Sequence, residues 1–204
     1  IAPIGPPNNP TANPASPNHF AHLPAFDIAF FQPPSILYIC GGSTIENSYM
    51  QALIEWRHQR GYIVYAVPIS EIGNSSDDIQ DYIENVYNTW DIPPEFVTIV
   101  GDASGSYEVA TNYEYYSGVY GEGDWPYSLL DGDDFLPEVI IGRISVRSSN
   151  EIGVVVTKTI AYEKASYIDF TGTDWYESAA LIGDPYSSGN STVHTNQYIE
   201  NILD

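Results

Sequence analysis

Phe96-Val97-Thr98-Ile99-Val100-Gly101-Asp102 is the stretch that decides the fold. A short apolar, β-branched run that stops at a glycine is typical of a strand buried on both faces. Further runs of this kind end at turn residues elsewhere in the chain. We therefore predict five strands, at residues 36–40, 62–67, 96–100, 139–146 and 178–182.

Amphipathic segments separate these strands. Apolar residues at helical spacing predict helices from about Tyr49 to Trp56, from Ser75 to Trp90, and from Ser148 to about Tyr162. A last helical pattern covers about Val193 to Leu203. Two of these helices begin with the spacing of a capping box, in the pairs Ser75 with Asp78 and Ser148 with Glu151.

Alternating strands and helices predict an α/β fold, a three-layer sandwich in which helices cover both faces of a mainly parallel sheet. Ligands of such folds bind beyond the carboxyl ends of the strands. This sequence places Gly41-Gly42, Gly101-Asp102 and Gly183-Asp184 there. The final strand and helix cannot bury both faces of a sheet, so we expect them to open a second, incomplete unit.

The first 35 residues form a separate, Pro-rich segment, because nine of the fifteen prolines lie within residues 1–34. Such a composition favours an extended chain that buries little surface. Phe26, Ile28 and Phe30 alternate at the strand period, and Phe20 adds further apolar surface. We expect an arm that packs on its own domain, joins a preceding one, or adds to a neighbouring subunit.

Charge and composition exclude several classes of protein. The chain has 204 residues, 43% of them hydrophobic, and a formal net charge of −21, so a polyphosphate backbone is repelled and nucleic acid is a poor partner. No apolar run reaches the roughly 18 residues that a membrane helix needs. The sequons at Asn74 and Asn190, with the acidic, Lys-poor composition, favour a secreted glycoprotein.

The acidic loop Asp131-Gly132-Asp133-Asp134 is the candidate metal site. Closely spaced carboxylates beside a flexible glycine suit calcium, although the spacing differs from that of an EF-hand. The alternative is a solvated acidic loop. Nearby, aromatic residues crowd residues 107–127, which suits either a protein or glycan interface or the packed lining of a long loop.

A nucleophile for catalysis is hard to find in this chain. The single cysteine, Cys40, lies in an apolar strand and is expected to be a small core residue that forms no internal disulfide. None of the four histidines forms a recognisable pair with it. These residues are His19, His22, His58 and His194.

Several stretches, in this order, resemble the amino-terminal half of the gingipain family of cysteine peptidases. The resemblance covers about residues 36–204 and leaves the arm outside. It is carried by Gln59-Arg60-Gly61, Phe96 to Asp102, Leu130 to Asp134, Pro137-Glu138, Ile141-Gly142-Arg143-Ile144 and Ile160 to Glu163.

This resemblance implies a caspase-like α/β sandwich of two subdomains, often secreted and calcium-bearing, with a His and Cys dyad. Residues 36–165 would form the first subdomain, and residues 166–204 would open the catalytic one. Neither dyad member has a counterpart here, but Asp184 matches an acid that orients the catalytic His. Where basic-residue-specific members place an acid, this sequence has Thr192, so the resemblance does not carry Arg or Lys specificity.

We therefore expect an extracellular gingipain-like domain, part of a secreted cysteine endopeptidase, that is inactive as the chain stands. Its partner would be the missing catalytic half. The alternative is a non-catalytic structural or binding subunit of an extracellular assembly, such as a filament or surface layer, in which copies join through the N-terminal arm.

Overall fold

A computed structural model describes residues 32–116, 119–132, 134–166 and 177. The chain divides into two units, residues 1–33 and 34–204, and every helix and strand described below belongs to the second. Residues 1–31 of the predicted arm, with Phe20, Phe26, Ile28 and Phe30, lie outside the described residues, and Ser35 already belongs to the first strand. The strand predicted at residues 178–182 and the helix predicted at residues 193–203 lie outside them too.

The described part alternates strands and helices, as predicted. In chain order its elements are β1 (Ser35–Cys40), α1 (Ser48–Gln59), β2 (Ile63–Pro68), α2 (Ile69–Ile72), α3 (Ser76–Thr89), β3 (Phe96–Val100), β4 (Asn112–Tyr116), β5 (Val119–Gly123), β6 (Ile140–Ile144) and α4 (Ser149–Glu163). Short 3-10 turns cover Thr44–Glu46 and Trp125–Ser128.

Four strands form one parallel sheet in the order β2-β1-β3-β6. Leu37 of β1 is in register with Tyr65 of β2 and with Val97 of β3, and Val97 is in register with Ile141 of β6. All six residues of β1 are buried, because β1 lies inside the sheet and both of its faces are covered. The predicted parallel α/β sheet is confirmed.

Two hydrophobic clusters lie on opposite faces of this sheet. Leu37, Val97 and Ile99 pack with the apolar face of α3, which presents Ile79 and Ile83. The alternate residues of the same strands pack against α1 and α4, in a cluster formed by Ile36, Tyr38, Cys40, Met50, Leu53, Val100, Val146, Ile152 and Val156. Successive side chains of each strand therefore pack against helices on opposite faces of the sheet, which confirms the three-layer sandwich.

The starts of the two longest helices differ from each other. Before α3, the Ser75 hydroxyl accepts from the Asp78 N–H at 3.1 Å, and the Asp78 carboxylate accepts from the Ser75 N–H, so the predicted capping box is confirmed. Before α4, the Ser148 hydroxyl accepts from the Glu151 N–H. However, the Glu151 carboxylate accepts from the N–H of Arg147 at 2.6 Å, so the return bond expected to Ser148 is displaced by one residue.

The long excursion between β3 and β6 holds the main departures from the predicted elements. Its Gly, Tyr and Asp content predicts a loop, yet residues 112–123 form the antiparallel hairpin β4-β5, a sheet of its own. Strand β6 is shorter than predicted, since it covers Ile140–Ile144. No helix in the described part of the chain is long and apolar enough to cross a membrane.

Candidate functional site at the carboxyl edge of the sheet

Strand β1 is the topological switch point of the sheet, because the next strand in the chain, β2, lies on one side of it and β3 lies on the other. In open α/β sheets, ligands bind in the crevice at such a point. Here the chain itself fills the crevice. A Cβ atom at Gly41 or Gly101 would collide with the carbonyl oxygen of Tyr107, and one at Gly42 would collide with Ser106.

These glycines therefore permit close packing of the Ser106-Tyr107 backbone at the carboxyl ends of β1 and β3. Gly101 also has a φ of 147°, a conformation that other residues rarely adopt. The segment that fills the crevice is held in place, since the Val109 N–H donates to the Asp102 carbonyl at 2.9 Å. The third expected position, Gly183-Asp184, lies outside the described residues.

Arg143 organises the loop above the sheet. Its Nε and one Nη grip both carboxylate oxygens of Asp124, at 2.8 and 2.7 Å. Its remaining N–H groups donate to the carbonyl oxygens of Gly101, Val109 and Ala110 at 2.9–3.1 Å. All five guanidinium donors are thereby satisfied. With side-chain exposures of 13% and 16%, Arg143 and Asp124 form a largely buried, bidentate ion pair.

Asp124 lies directly after β5 and links this pair to the hairpin. Its Oδ1 also accepts from the buried hydroxyl of Thr111, the residue before β4, at 3.0 Å. One guanidinium therefore fixes both ends of the hairpin and the loop that fills the crevice. We name Arg143, Asp124 and Thr111 the loop clamp.

A second ion pair lies at the same edge. Asp102, two residues after the end of β3, accepts from Arg147 and from the backbone N–H of Ala103. The hydrogen bond from Arg147 is the main reason that the pKa of Asp102 lies below its ordinary value. Arg147 is 62% exposed, so water screens this pair more than it screens the loop clamp.

Asp102 and Arg143 both lie in the motifs that resemble the gingipain family, but those motifs do not indicate the ionic partner of either residue. Charge counting offered a signal, because only six Lys and Arg stand beside 27 Asp and Glu. A cation placed in an apolar strand of such a chain needs an acidic partner. The sequence does not reveal which acid, since Asp124 lies 19 residues away from Arg143.

Cys40 is a core residue, as predicted. It is 0% exposed in the cluster beneath α1 and α4, and burial raises the pKa of its thiol to about 12. His58, the one histidine in the described ranges, is exposed on α1. The described residues therefore bring no thiol and imidazole together as a catalytic pair.

The predicted metal ligands are only partly described. Asp131 and Asp134 are exposed, and Asp133 lies outside the described residues. The Asp134 carboxylate accepts from the Leu136 N–H at 2.8 Å, while Glu138 accepts from the N–H groups of Leu130 and Asp131. Among the described residues, no group of three or more His, Cys, Asp or Glu is placed to hold a metal ion. The described members alone do not complete a calcium shell.

Of the two predicted glycosylation sites, only Asn74 is described. It is exposed, and its side chain bridges to the crevice loop. Its Oδ1 accepts from the Ala110 N–H at 2.9 Å, and its Nδ2 donates to the Glu108 carbonyl at 3.4 Å. Asn190 lies outside the described residues, as does Asp184, the predicted His-orienting acid.

Some aromatic residues between 107 and 127 line the loop, and others are exposed. Tyr127 is fully buried and donates to the Ala110 carbonyl at 3.1 Å, so it lines the loop. Burial raises the pKa of Tyr127 to about 12. Tyr113, Tyr115 and Trp125 are instead 60%, 65% and 50% exposed.

These features define a class of domain before any comparison. It is a parallel α/β sandwich in which the Ser106-Tyr107 segment packs onto the carboxyl ends of β1 and β3 and in which the thiol of Cys40 is buried. Comparison with known proteins then gives the family. The model of peptidase family C25 matches residues 30–204, and the chain belongs to that family.

The relatives include Lys-gingipain W83 of Porphyromonas gingivalis, which is 27% identical over 169 residues. That alignment covers 80% of this chain and 9% of the relative, so the chain spans under a tenth of that relative's length. This agrees with the resemblance to gingipains inferred from the motifs.

Two solved structures share the fold. The Arg-specific cysteine proteinase gingipain R (RgpB) aligns with a TM-score of 0.56 at 21% identity, over 84% of this chain and 38% of that one. A complex of Porphyromonas gingivalis RgpB pro- and mature domains aligns with a TM-score of 0.53 at 22% identity, over 62% and 28%. The three-layer, gingipain-like architecture is confirmed.

Proposed function

We propose that this chain is the scaffold part of a gingipain-like cysteine endopeptidase, and that the nucleophilic Cys and its His base come from residues beyond this sequence. The membership of family C25 supports the reaction class. The proposal that the nucleophile lies elsewhere rests on the burial of Cys40, the sole cysteine of this sequence, which is 0% exposed. A thiol with a pKa of about 12 and no access to solvent does not attack a peptide bond.

The scaffold role follows from rigidity at the carboxyl edge of the sheet. A catalytic group must be held to within a fraction of an ångström, and side chains on a packed sheet achieve this better than free loops. The loop clamp and the crevice glycines lock the segment between β3 and β6. We propose that this locked edge supports the neighbouring catalytic subdomain, which residues 166–204 open and in which Asp184 orients the His.

The decisive experiment is thiol labelling with a peptidyl electrophile specific for cysteine peptidases. The 204-residue chain and the full product of its gene are treated in the native state, each as wild type and as Cys40→Ala. We expect the full product to be labelled at a second cysteine, equally in both forms, and the 204-residue chain not to be labelled.

Two outcomes would refute the proposal. Labelling of Cys40 in the folded 204-residue chain would make it the nucleophile. A full gene product in which no cysteine reacts, and which cleaves no peptide, would leave the non-catalytic assembly subunit as the function.

We further propose an extracellular location, with glycans at Asn74 and Asn190. The acidic, Lys-poor composition and the exposure of Asn74 support it. The test is fractionation of the source culture followed by glycosidase treatment. A protein found only inside cells, or one whose mass does not change on deglycosylation, would contradict the respective part.

Substrate choice is a separate proposal. One relative is named a Lys-gingipain and one solved relative an Arg-specific proteinase. Because Thr192 stands where the resemblance places the acid of basic-specific members, we propose that the full protein does not prefer Arg or Lys. Cleavage of a mixed peptide library by the full product tests this, and cleavage confined to Arg or Lys bonds would contradict it.

We also propose that the protein works with a protein partner, either the catalytic half of the same product or a pro-domain. The RgpB pro- and mature-domain complex supports a partner of this kind. Pull-down of the full product by a tagged 204-residue chain tests it, and recovery of the tagged chain alone would count against it.

A further inference from the structure

The loop that leads into β6 carries the two most exposed large apolar side chains of the described residues. Phe135 is 83% exposed and Leu136 is 69% exposed. Asp134, the residue before them, is exposed as well. Single exposed apolar residues are ordinary, but an adjacent pair that projects from the surface favours a contact with another molecule. We name Asp134, Phe135 and Leu136 the loop tip.

The base of this loop is fixed although its tip projects. Leu130 and Val139, on either side of the tip, are buried in the hydrophobic cluster that packs against α3. The Glu138 carboxylate accepts from the Leu130 N–H at 2.7 Å, and the Glu138 N–H donates to the Ser128 carbonyl at 2.9 Å. The tip is therefore presented from an ordered base, which lowers the entropy cost of inserting it into a partner.

A shallow groove of about 370 Å³ lies between α1 and α4. Gly153 allows the helices to approach here, because a Cβ atom on it would come within 2.9 Å of the Tyr49 ring. Tyr49 and Val154 are 46% and 51% exposed and give the groove apolar surface. Its volume lies near the small end of the range for ligand pockets, so it suits a few side chains. We call this site the helix groove; its lining residues are Tyr49, Asn150, Gly153, Val154, Thr157 and Lys158.

Charge decides what fits the helix groove. Lys158 lies four residues after Val154 and hence on the same face of α4. It is exposed, and no acid among the described residues pairs with it, although the chain has 27 Asp and Glu. Apolar surface beside an unpaired ammonium is complementary to apolar side chains that accompany a carboxylate. The loop tip offers this combination.

The loop tip and the helix groove lie on opposite faces of the sheet. The ends of the loop pack in the cluster with α3, whereas α1 and α4 pack in the other cluster. A copy of the chain therefore does not fill its own groove. A contact between two unlike surfaces of identical copies is heterologous, so it leaves one tip and one groove open at the ends and can add further copies.

We infer that the loop tip of one copy of this chain inserts into the helix groove of a second copy. Phe135 and Leu136 would cover the apolar surface of the groove, and Asp134 would lie beside Lys158. The inference goes beyond the proposed peptidase function, since it needs no nucleophile.

The test is sedimentation velocity of the 204-residue chain from about 1 μM to about 1 mM, a range that covers weak association. The net charge of −21 on each copy opposes the contact, but at 0.15 M salt charges more than about 8 Å apart are largely screened. We expect species larger than a dimer to grow with concentration at 0.15 M salt, and less association at about 10 mM salt.

Variants of the tip and of the groove locate the contact. Phe135→Ser and Val154→Glu should each weaken association at least about 30-fold, because each removes apolar burial at one of the two surfaces. A mixture of these two variants should form a dimer and nothing larger, since one supplies an intact groove and the other an intact tip. Ile140→Thr is the matched control, because Ile140 is 59% exposed and belongs to neither surface. Its association should stay within about twofold of wild type.

Charge exchange tests the ionic part of the contact. Lys158→Glu should weaken association about fivefold, and adding Asp134→Lys to the same chain should restore it. A capped pentapeptide with the sequence of residues 134–138 should compete with association, whereas the same peptide with Ser in place of Phe should not.

Contrary results overturn stated parts of the inference. A chain that stays monomeric but binds the pentapeptide would show that a loop of another protein occupies the groove, and a chain that does neither would refute the site. Undiminished association of Phe135→Ser or Val154→Glu, with unchanged far-UV circular dichroism, would place the contact elsewhere. Stronger association at low salt would assign it to charge rather than to apolar insertion, and failure of the charge exchange would separate Asp134 from Lys158. None of these measurements depends on peptidase activity, so the inference and the proposed function can fail separately.

Discussion

Replacing Arg143 by Met removes the guanidinium that holds the loop above the sheet while keeping most of the aliphatic side chain. The variant leaves the Asp124 carboxylate with the Thr111 hydroxyl as its remaining described side-chain donor. It also deprives the carbonyls of Gly101, Val109 and Ala110 of a charged donor. The perturbation therefore acts on one charge and three backbone groups together.

The expected magnitude follows from burial. Breaking a buried ion pair by removing one partner costs about 3–5 kcal/mol, and hydrogen bonds to charged groups contribute about 1.5–3 kcal/mol each. Because Arg143 and Asp124 keep 13% and 16% exposure, we take the lower end, about 3 kcal/mol for Arg143→Met. For a chain of this size, that lowers the melting temperature by roughly 6–12 °C.

Urea unfolding followed by circular dichroism measures the effect, and a double-mutant cycle isolates the pair. Asp124→Leu removes the other partner, and we expect a coupling energy of about 2 kcal/mol between the two sites. The matched control is Arg147→Met, since the Arg147 pair with Asp102 is more exposed. The control should cost under about 1 kcal/mol.

The reasoning fails if Arg143→Met costs no more than Arg147→Met, or if the cycle gives no coupling. Hydrogen exchange adds a local readout. The amide of Val109, which donates to the Asp102 carbonyl, should lose protection in Arg143→Met before the amides of β1 and β3 do. Uniform loss of protection would show that the loop is not held separately by this residue.

Four further predictions concern other parts of the chain. Cys40 in the folded chain should react with a thiol reagent at pH 8 about a thousandfold more slowly than in urea, because its pKa is raised to about 12 and it is buried; equal rates would contradict this. Burial raises the pKa of Glu163, but hydrogen bonds from Arg57 and Trp56 outweigh it and leave the pKa below its ordinary value. The ion pair with Arg57 therefore stabilises the fold fully above the unfolded pKa of about 4.3, and this stabilisation is lost as the pH falls through the lower, folded pKa. Glu163→Gln should lower the free energy of unfolding by under about 1 kcal/mol at pH 7 and should leave it unchanged near pH 2. A difference between variant and wild type that grows in acid would contradict this. Gly101→Ala should cost about 3 kcal/mol in urea unfolding, because its φ of 147° and the Tyr107 carbonyl leave no room, whereas Gly142→Ala, where a Cβ meets nothing, should cost under about 1 kcal/mol; similar costs would refute the packing role. If Asp131, Asp133 and Asp134 bind calcium, chelation should lower the melting temperature of wild type and leave that of Asp133→Asn unchanged, and no shift in wild type would dismiss the metal.

Strand β3 and the start of α3 illustrate what local sequence can predict. The run from Phe96 to Val100 needs no partner to be recognised, because five consecutive apolar or β-branched residues end at a glycine. The capping box of Ser75 and Asp78 is equally local, since its donors and acceptors lie within four residues. At Ser148 the same pattern succeeded only in part, because the neighbouring Arg147 N–H took the Glu151 carboxylate.

The hairpin and the ion pairs illustrate what local sequence missed. Tyr113 to Gly123 lacks a strong turn signal and is rich in Gly and Tyr, so a loop was the natural prediction. Its ends are ordered by Arg143, which is distant in sequence from both. The packing of Tyr107 onto Gly41 and Gly101 was missed as well, because no residue near these glycines in the sequence indicates that Tyr107 folds back onto them.

The sequence by itself determined the parallel three-layer sandwich, the burial of Cys40 and the likeness to gingipains, because apolar periodicity and short motifs are properties of neighbouring residues. Only the tertiary structure decided that Asp124 is the partner of Arg143, that Tyr107 packs onto Gly41 and Gly101, and that residues 112–123 form a hairpin separate from the main sheet. Each of these depends on groups far apart in the chain meeting in space, and the free energy that selects among possible partners arises from burial and geometry that exist only once the sheet has formed.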